Sequence, residues 1–195
     1  MVICDKQEHV YIAIPKTASS TVADYLCRYE GGHREGDHHS IDIPAYAKDF
    51  LVWCSVRNPY ERLYSWWYWR CIERRNPDGW TFVKHMEDVL KWSLAPGGYA
   101  KTNMPHIYKT ISWWVKHAGI KTYVKQEEMP QAIFEHPVIG PRLENRYVDT
   151  FSDVHGQATK RCRTPALELM SDYERQLVNE YCPDDFALLG YEMVE

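Results

Sequence analysis

Two short apolar runs, each ending in a turn with a cation at the mouth of a helix, constrain this chain more than any other feature. His9 to Ile14 (HVYIAI) is an unbroken β-favouring run that stops at Pro15, and it reads as a buried strand. Beyond it Val22, Tyr25, Leu26 and Tyr29 recur at helical spacing, which predicts a helix from about Ser19 to Tyr29. Leu51 to Val56 (LVWCSV) is a second buried strand. Asn58 can cap the helix that follows, with Pro59 at its first position and Glu61 at its third, and the pattern carries to about Arg74.

The remaining elements follow the same alternation. An amphipathic helix is expected from Thr81 to Leu94, a weaker strand at Lys121 to Lys125 (KTYVK), and a helix to Tyr181 opened by the capping box of Ser171 and Glu174. Gly31 to Ser40 (GGHREGDHHS) is polar and reads as an exposed loop. Strands alternating with helices predict an α/β fold: three layers, with a mainly parallel central sheet flanked by helices. In such sheets ligands sit at the carboxyl ends of the strands. No repeat, low-complexity tract or long linker divides the 195 residues, so one domain over 1–195 is expected. A chain of that length buries roughly 70% of its unfolded surface and needs neither disulfide nor metal to hold a core.

Composition narrows the function classes. With 23 Lys+Arg against 27 Asp+Glu the net charge is −4, which disfavours a protein that coats nucleic acid. The six cysteines, Cys4, Cys27, Cys54, Cys71, Cys162 and Cys182, form no CxxC pair. Charged residues close to Met1 and the lack of a long apolar run argue against a signal peptide or membrane span, so a cytoplasmic protein is expected. A chain cut from a membrane-anchored parent would read alike. Trp66, Trp67, Trp69, Trp113 and Trp114 suit core packing or a stacking surface for sugar rings or bases.

Both cationic turns should open on one edge of the sheet. A helix N-terminus offers unpaired N–H donors and the positive end of its dipole, so Pro15-Lys16-Thr17-Ala18-Ser19-Ser20-Thr21 is a place for phosphate or sulfate. Arg57 at the second turn suggests a ligand with two separated anionic groups. A nucleoside triphosphatase loop is a poor fit, because G-x-x-x-x-G-K-[ST] requires glycines ahead of its lysine and this chain has no glycine before Gly31.

IPKTASST resembles the 5′-phosphosulfate loop of sulfotransferases (PKTAGTS, PKTGTT), and RNPYERLYS resembles their 3′-phosphate motif, R-x-P-x-x-R-x-x-S. The form is closest to the Golgi-type carbohydrate sulfotransferases. KTYVKQEEM and YCPDDFALLGY look like later segments of that family. The resemblance implies 3′-phosphoadenosine 5′-phosphosulfate (PAPS) as donor, 3′,5′-adenosine bisphosphate as product, no metal, and an acceptor hydroxyl expected on a carbohydrate. It implies that Lys16 stabilises charge on the bridging oxygen, that Pro15 and Thr17 to Thr21 cradle the 5′-phosphate, and that Arg57 and Ser65 hold the 3′-phosphate. Lys160 and Arg161, with His155, resemble the family's loop over the nucleotide. Ser19 stands where the family's loop carries glycine, and serine takes positive φ less cheaply.

Transfer to a hydroxyl needs a base. The loop ahead of the second strand offers His33, His38 and His39, with His39 the first candidate, His38 the second, and Glu127 or Glu128 the carboxylate alternatives. A zinc site lacks partners at ligand spacing. Two other classes stay open: a nucleotide- or glycan-binding module of the same fold without turnover, and a nucleotide kinase with an atypical loop.

Overall fold

The computed structural model describes residues 1–73, 79–93, 108–144 and 164–195. They form two compact units: Met1–Arg57 with Trp113–Gln157, and Asn58–Ser112 with Ala158–Glu195. Each therefore draws on two separate stretches of chain.

The first unit holds the sheet. Its strands are β1 (Val2–Cys4), β2 (His9–Ile12), β3 (His33–Arg34), β4 (Leu51–Val56) and β5 (Thr122–Lys125), in the order β3-β1-β2-β4-β5. β2, β4 and β5 run parallel, with Tyr11 opposite Trp53 and Cys54 opposite Tyr123, while β1 pairs antiparallel with β2 and β3. The expected α/β architecture is present as a mixed, mainly parallel sheet flanked by helices. Parallel strands covered on both faces read as continuous apolar runs, and all four residues of β2 are buried. On one face Tyr11, Trp53 and Val124 pack with Val22, Tyr25 and Leu26 of α1 (Ser19–Tyr29) and with Ile133 and Phe134 of α5 (Gln131–Phe134).

Two expectations are corrected here. The first strand stops at Ile12, because the Ile14 N–H turns back to the Ile12 carbonyl and Pro15 has no N–H to continue a ladder. The polar segment from Gly31 is also not all loop: His33 and Arg34 pair with Ile3 and Val2. Neither three-residue β1 nor two-residue β3 is long enough to show a period, and their pairing is non-local.

In the second unit α2 (Pro59–Tyr68) starts as expected, with the Asn58 carboxamide accepting from Tyr60 N–H at 3.0 Å. Its α-helical hydrogen bonding ends at Tyr68, and Trp69–Glu73 continue as a wider π-turn; the expected end at Arg74 lies outside the described residues. α3 (Phe82–Ser93) opens with Thr81 Oγ1 accepting from Lys84 N–H. α4 (Ile111–His117) begins at the end of this unit, where the buried Asp185 carboxylate accepts from the N–H groups of Ile111 and Ser112. After α6 (Ala166–Leu169), the Ser171–Glu174 capping box opens α7 (Asp172–Tyr181), and α8 (Pro183–Leu189) follows. Tyr60, Leu63, Trp66, Phe82, Met86, Val178 and Phe186 are among its core residues. Trp66 is thus a core residue, stacked on Tyr108 at 5.1 Å.

Candidate functional site

β2 and β4 are parallel neighbours, so the turns that follow them leave the same edge of the sheet. The first turn carries two L-residues in the left-handed region, Lys16 at φ 68° and Ala18 at φ 60°. Both conformations are disfavoured by contact between Cβ and the following carbonyl oxygen. The burden expected at Ser19 therefore falls elsewhere: Ser19 is the first residue of α1 and helical.

Thr17, between the two left-handed residues, is fully buried. Its hydroxyl donates to the Ile14 carbonyl at 2.9 Å and lies 3.0 Å from Ser55 Oγ. The side chain expected to cradle a phosphate is turned inward instead, and its part in an anion site is left to the backbone. Ala18 is the N-cap of α1 and supplies no side-chain cap, and the first turn holds no acidic residue. With the helix dipole behind it, that turn favours an anion.

Arg57, directly after β4, donates from Nη1 to the Lys16 carbonyl at 3.4 Å. The Arg57 guanidinium thereby ties the second turn to the backbone of the first within the first unit. Ser65 belongs to the second unit and is buried in α2, where Arg62 is also buried, pairing with Asp185 at 4.0 Å and donating to the Lys109 carbonyl at 3.0 Å. Lys160, Arg161 and His155 lie outside the described residues. Glu127 and Glu128 are exposed in a single 3-10 turn after β5.

His38 and His39 come to the same region with opposite tautomers. A carbonyl can only accept, so the contact between His39 Nδ1 and the Ala13 carbonyl puts the proton on Nδ1 and the lone pair on Nε2. An arginine can only donate, so Arg34 at 3.0 Å makes His38 Nδ1 an acceptor and puts the His38 proton on Nε2, facing Ser20 Oγ at 3.5 Å. Asp24 holds Arg34 in place at 2.5 Å. Burial, more than any neighbouring charge, pushes His38 down to about 4 and keeps it neutral. The two rings thus differ in which nitrogen donates: Nδ1 in His39 and Nε2 in His38.

Tyr11, Ser55, Arg34 and Asp24 were not foreseen as parts of this site. Ser55 left one sign in the sequence, as the polar residue in the otherwise apolar run LVWCSV.

Residues 1–93 match the sulfotransferase family, a stretch that contains both turns and the histidine loop. These residues belong to the sulfotransferase family. Sulfuryl transfer is that family's chemistry, PAPS its general donor, and the carbohydrate form of the resemblance is consistent with it. No curated protein and no solved structure matches the chain. Among the described residues no helix is long and apolar enough to cross a membrane, and no cluster of His, Cys, Asp and Glu is arranged to hold a metal ion.

Proposed function

We propose that this sulfotransferase-family protein moves the sulfuryl group from PAPS to a carbohydrate hydroxyl, with 1–195 acting as one catalytic domain. The observation that carries the reading is the hydrogen bond from Arg57 to the Lys16 carbonyl, which joins the turn after β4 to the turn after β2. In this reading the backbone of Pro15 to Ala18 and the first turn of α1 (Ser19, Ser20, Thr21) take the 5′-phosphate. Arg57 takes the 3′-phosphate, joined by Ser65, Lys160 and Arg161 on the sequence motifs alone.

Sulfuryl transfer, like phosphoryl transfer, asks for in-line placement and charge stabilisation. The Lys16 ammonium stabilises negative charge as it develops on the bridging oxygen. His39 Nε2 takes the proton of the attacking hydroxyl, a role the acceptor set by the Ala13 carbonyl suits. His38 donates to Ser20 Oγ, so that the Ser20 proton is directed to the anion.

3′,5′-Adenosine bisphosphate is expected to raise the melting temperature, because a ligand bound by the folded state alone stabilises it. Arg57→Ala should remove most of that rise. Radiolabelled sulfate should pass from PAPS to a member of a glycan panel, and Lys16→Ala should lose far more turnover than product affinity. Equal protection by ATP points to the kinase reading. Nucleotide binding without transfer to any glycan points to a binding module.

A further inference from the structure

Three hydroxyls lie in a line beneath the first turn. Tyr11 Oη is 2.6 Å from Ser55 Oγ, Ser55 Oγ is 3.0 Å from Thr17 Oγ1, and Thr17 Oγ1 donates to the Ile14 carbonyl at 2.9 Å. All three side chains are fully buried. Each hydroxyl owns one proton, which fixes the order. The Thr17 proton is committed to Ile14, so Ser55 must donate to Thr17 and Tyr11 to Ser55. Burial pushes the Tyr11 phenol up, so it stays protonated and can start the chain.

The far end of this chain holds the residue between two left-handed positions, Lys16 and Ala18. Its middle member sits on β4 two residues before Arg57. With its own side chain fixed, Thr17 limits the freedom of its neighbours to relax toward ordinary φ, and the loop is tied to the strand that delivers Arg57. We infer that Tyr11, Ser55 and Thr17 are positioning residues that hold the Lys16 loop in its anion-receiving conformation, an inference that rests on the donor-site reading above.

The test compares wild type with Thr17→Val, Ser55→Ala, Tyr11→Phe and Thr17→Ser in two measurements. One is amide hydrogen exchange over residues 16–21 without ligand, referenced to α7. The other is calorimetric binding of 3′,5′-adenosine bisphosphate. Thr17→Val keeps the volume and loses the hydroxyl, so it should speed exchange in the loop and weaken binding about tenfold. Ser55→Ala should act alike. Tyr11→Phe removes only the first donor, fills the same space and should do less. Thr17→Ser keeps the hydroxyl and should recover most of the lost binding.

Should Thr17→Val prove too unstable to study, the order Ser55→Ala worse than Tyr11→Phe still decides the matter. Unchanged loop exchange and binding in Ser55→Ala and Thr17→Val overturn the inference, as does a Thr17→Ser variant no better than Thr17→Val. If wild type itself does not bind the bisphosphate, the donor-site reading fails, and the exchange series alone judges whether the chain holds the loop.

Discussion

Acid should weaken this fold through His9, on the strand that leads into the Lys16 loop. The His9 side chain is fully buried, and its Nδ1 accepts from the indole Nε1–H of Trp53 at 3.1 Å. A proton arriving at Nδ1 would set two donors against each other. Burial, and after it the charge of Arg142, hold the imidazole at about 4 instead of 6.5. The unfolded chain therefore takes this proton once the pH drops below 6.5, while the folded chain resists until about pH 4. In that window the unfolded state binds more protons, so stability is fully present above 6.5 and is lost as pH falls.

At roughly 1.4 kcal/mol per pH unit the loss reaches about 3 kcal/mol by pH 4. His9→Asn keeps an acceptor near the Nδ1 position for Trp53 and cannot titrate. Urea unfolding of both proteins between pH 7 and about pH 4 isolates the effect, since carboxylate titration is common to the two and cancels in the difference. The wild-type curve should fall below its pH 7 offset from the variant by about 3 kcal/mol. Parallel curves across the whole range would refute the argument.

The histidine pair and the buried Asp185 give further expected outcomes. His39→Ala should slow sulfate transfer by about 10²–10⁴-fold while 3′,5′-adenosine bisphosphate still binds, and His38→Ala should slow it less, because His38 acts through Ser20; single-turnover rates beside calorimetry check both. Full transfer in His39→Ala would move the base to Glu127 or Glu128. Asp185→Ala removes the buried carboxylate that pairs with Arg62 and accepts from two N–H groups of α4, so urea unfolding should show a loss of about 3 kcal/mol.

What could be read from the chain in advance was what neighbouring residues decide among themselves. The apolar run LVWCSV, the helical spacing from Val22 to Tyr29, the Asn58–Pro59 entrance and the Ser171–Glu174 box are local arrangements, and β4, α1, α2 and α7 begin where they indicate. The cationic turns were legible for the same reason, since a cation beside a helix entrance is a matter of adjacent residues. The edge formed by β1 and β3 was not, because strands of three and two residues exist only through each other.

The chemistry of the histidine pair depended on the same distinction. DHHSI in sequence is two equivalent imidazoles. Only the fold sets Arg34 against one and the Ala13 carbonyl against the other, and a donor on one ring and an acceptor on the next force opposite tautomers. Thr17 likewise reads as one hydroxyl among several in a polar turn. Its inward orientation is tied to Ser55, 38 positions away in the sequence, which is in turn bonded to Tyr11, 44 positions from Ser55, and the two meet only because β2 and β4 are neighbours in the sheet.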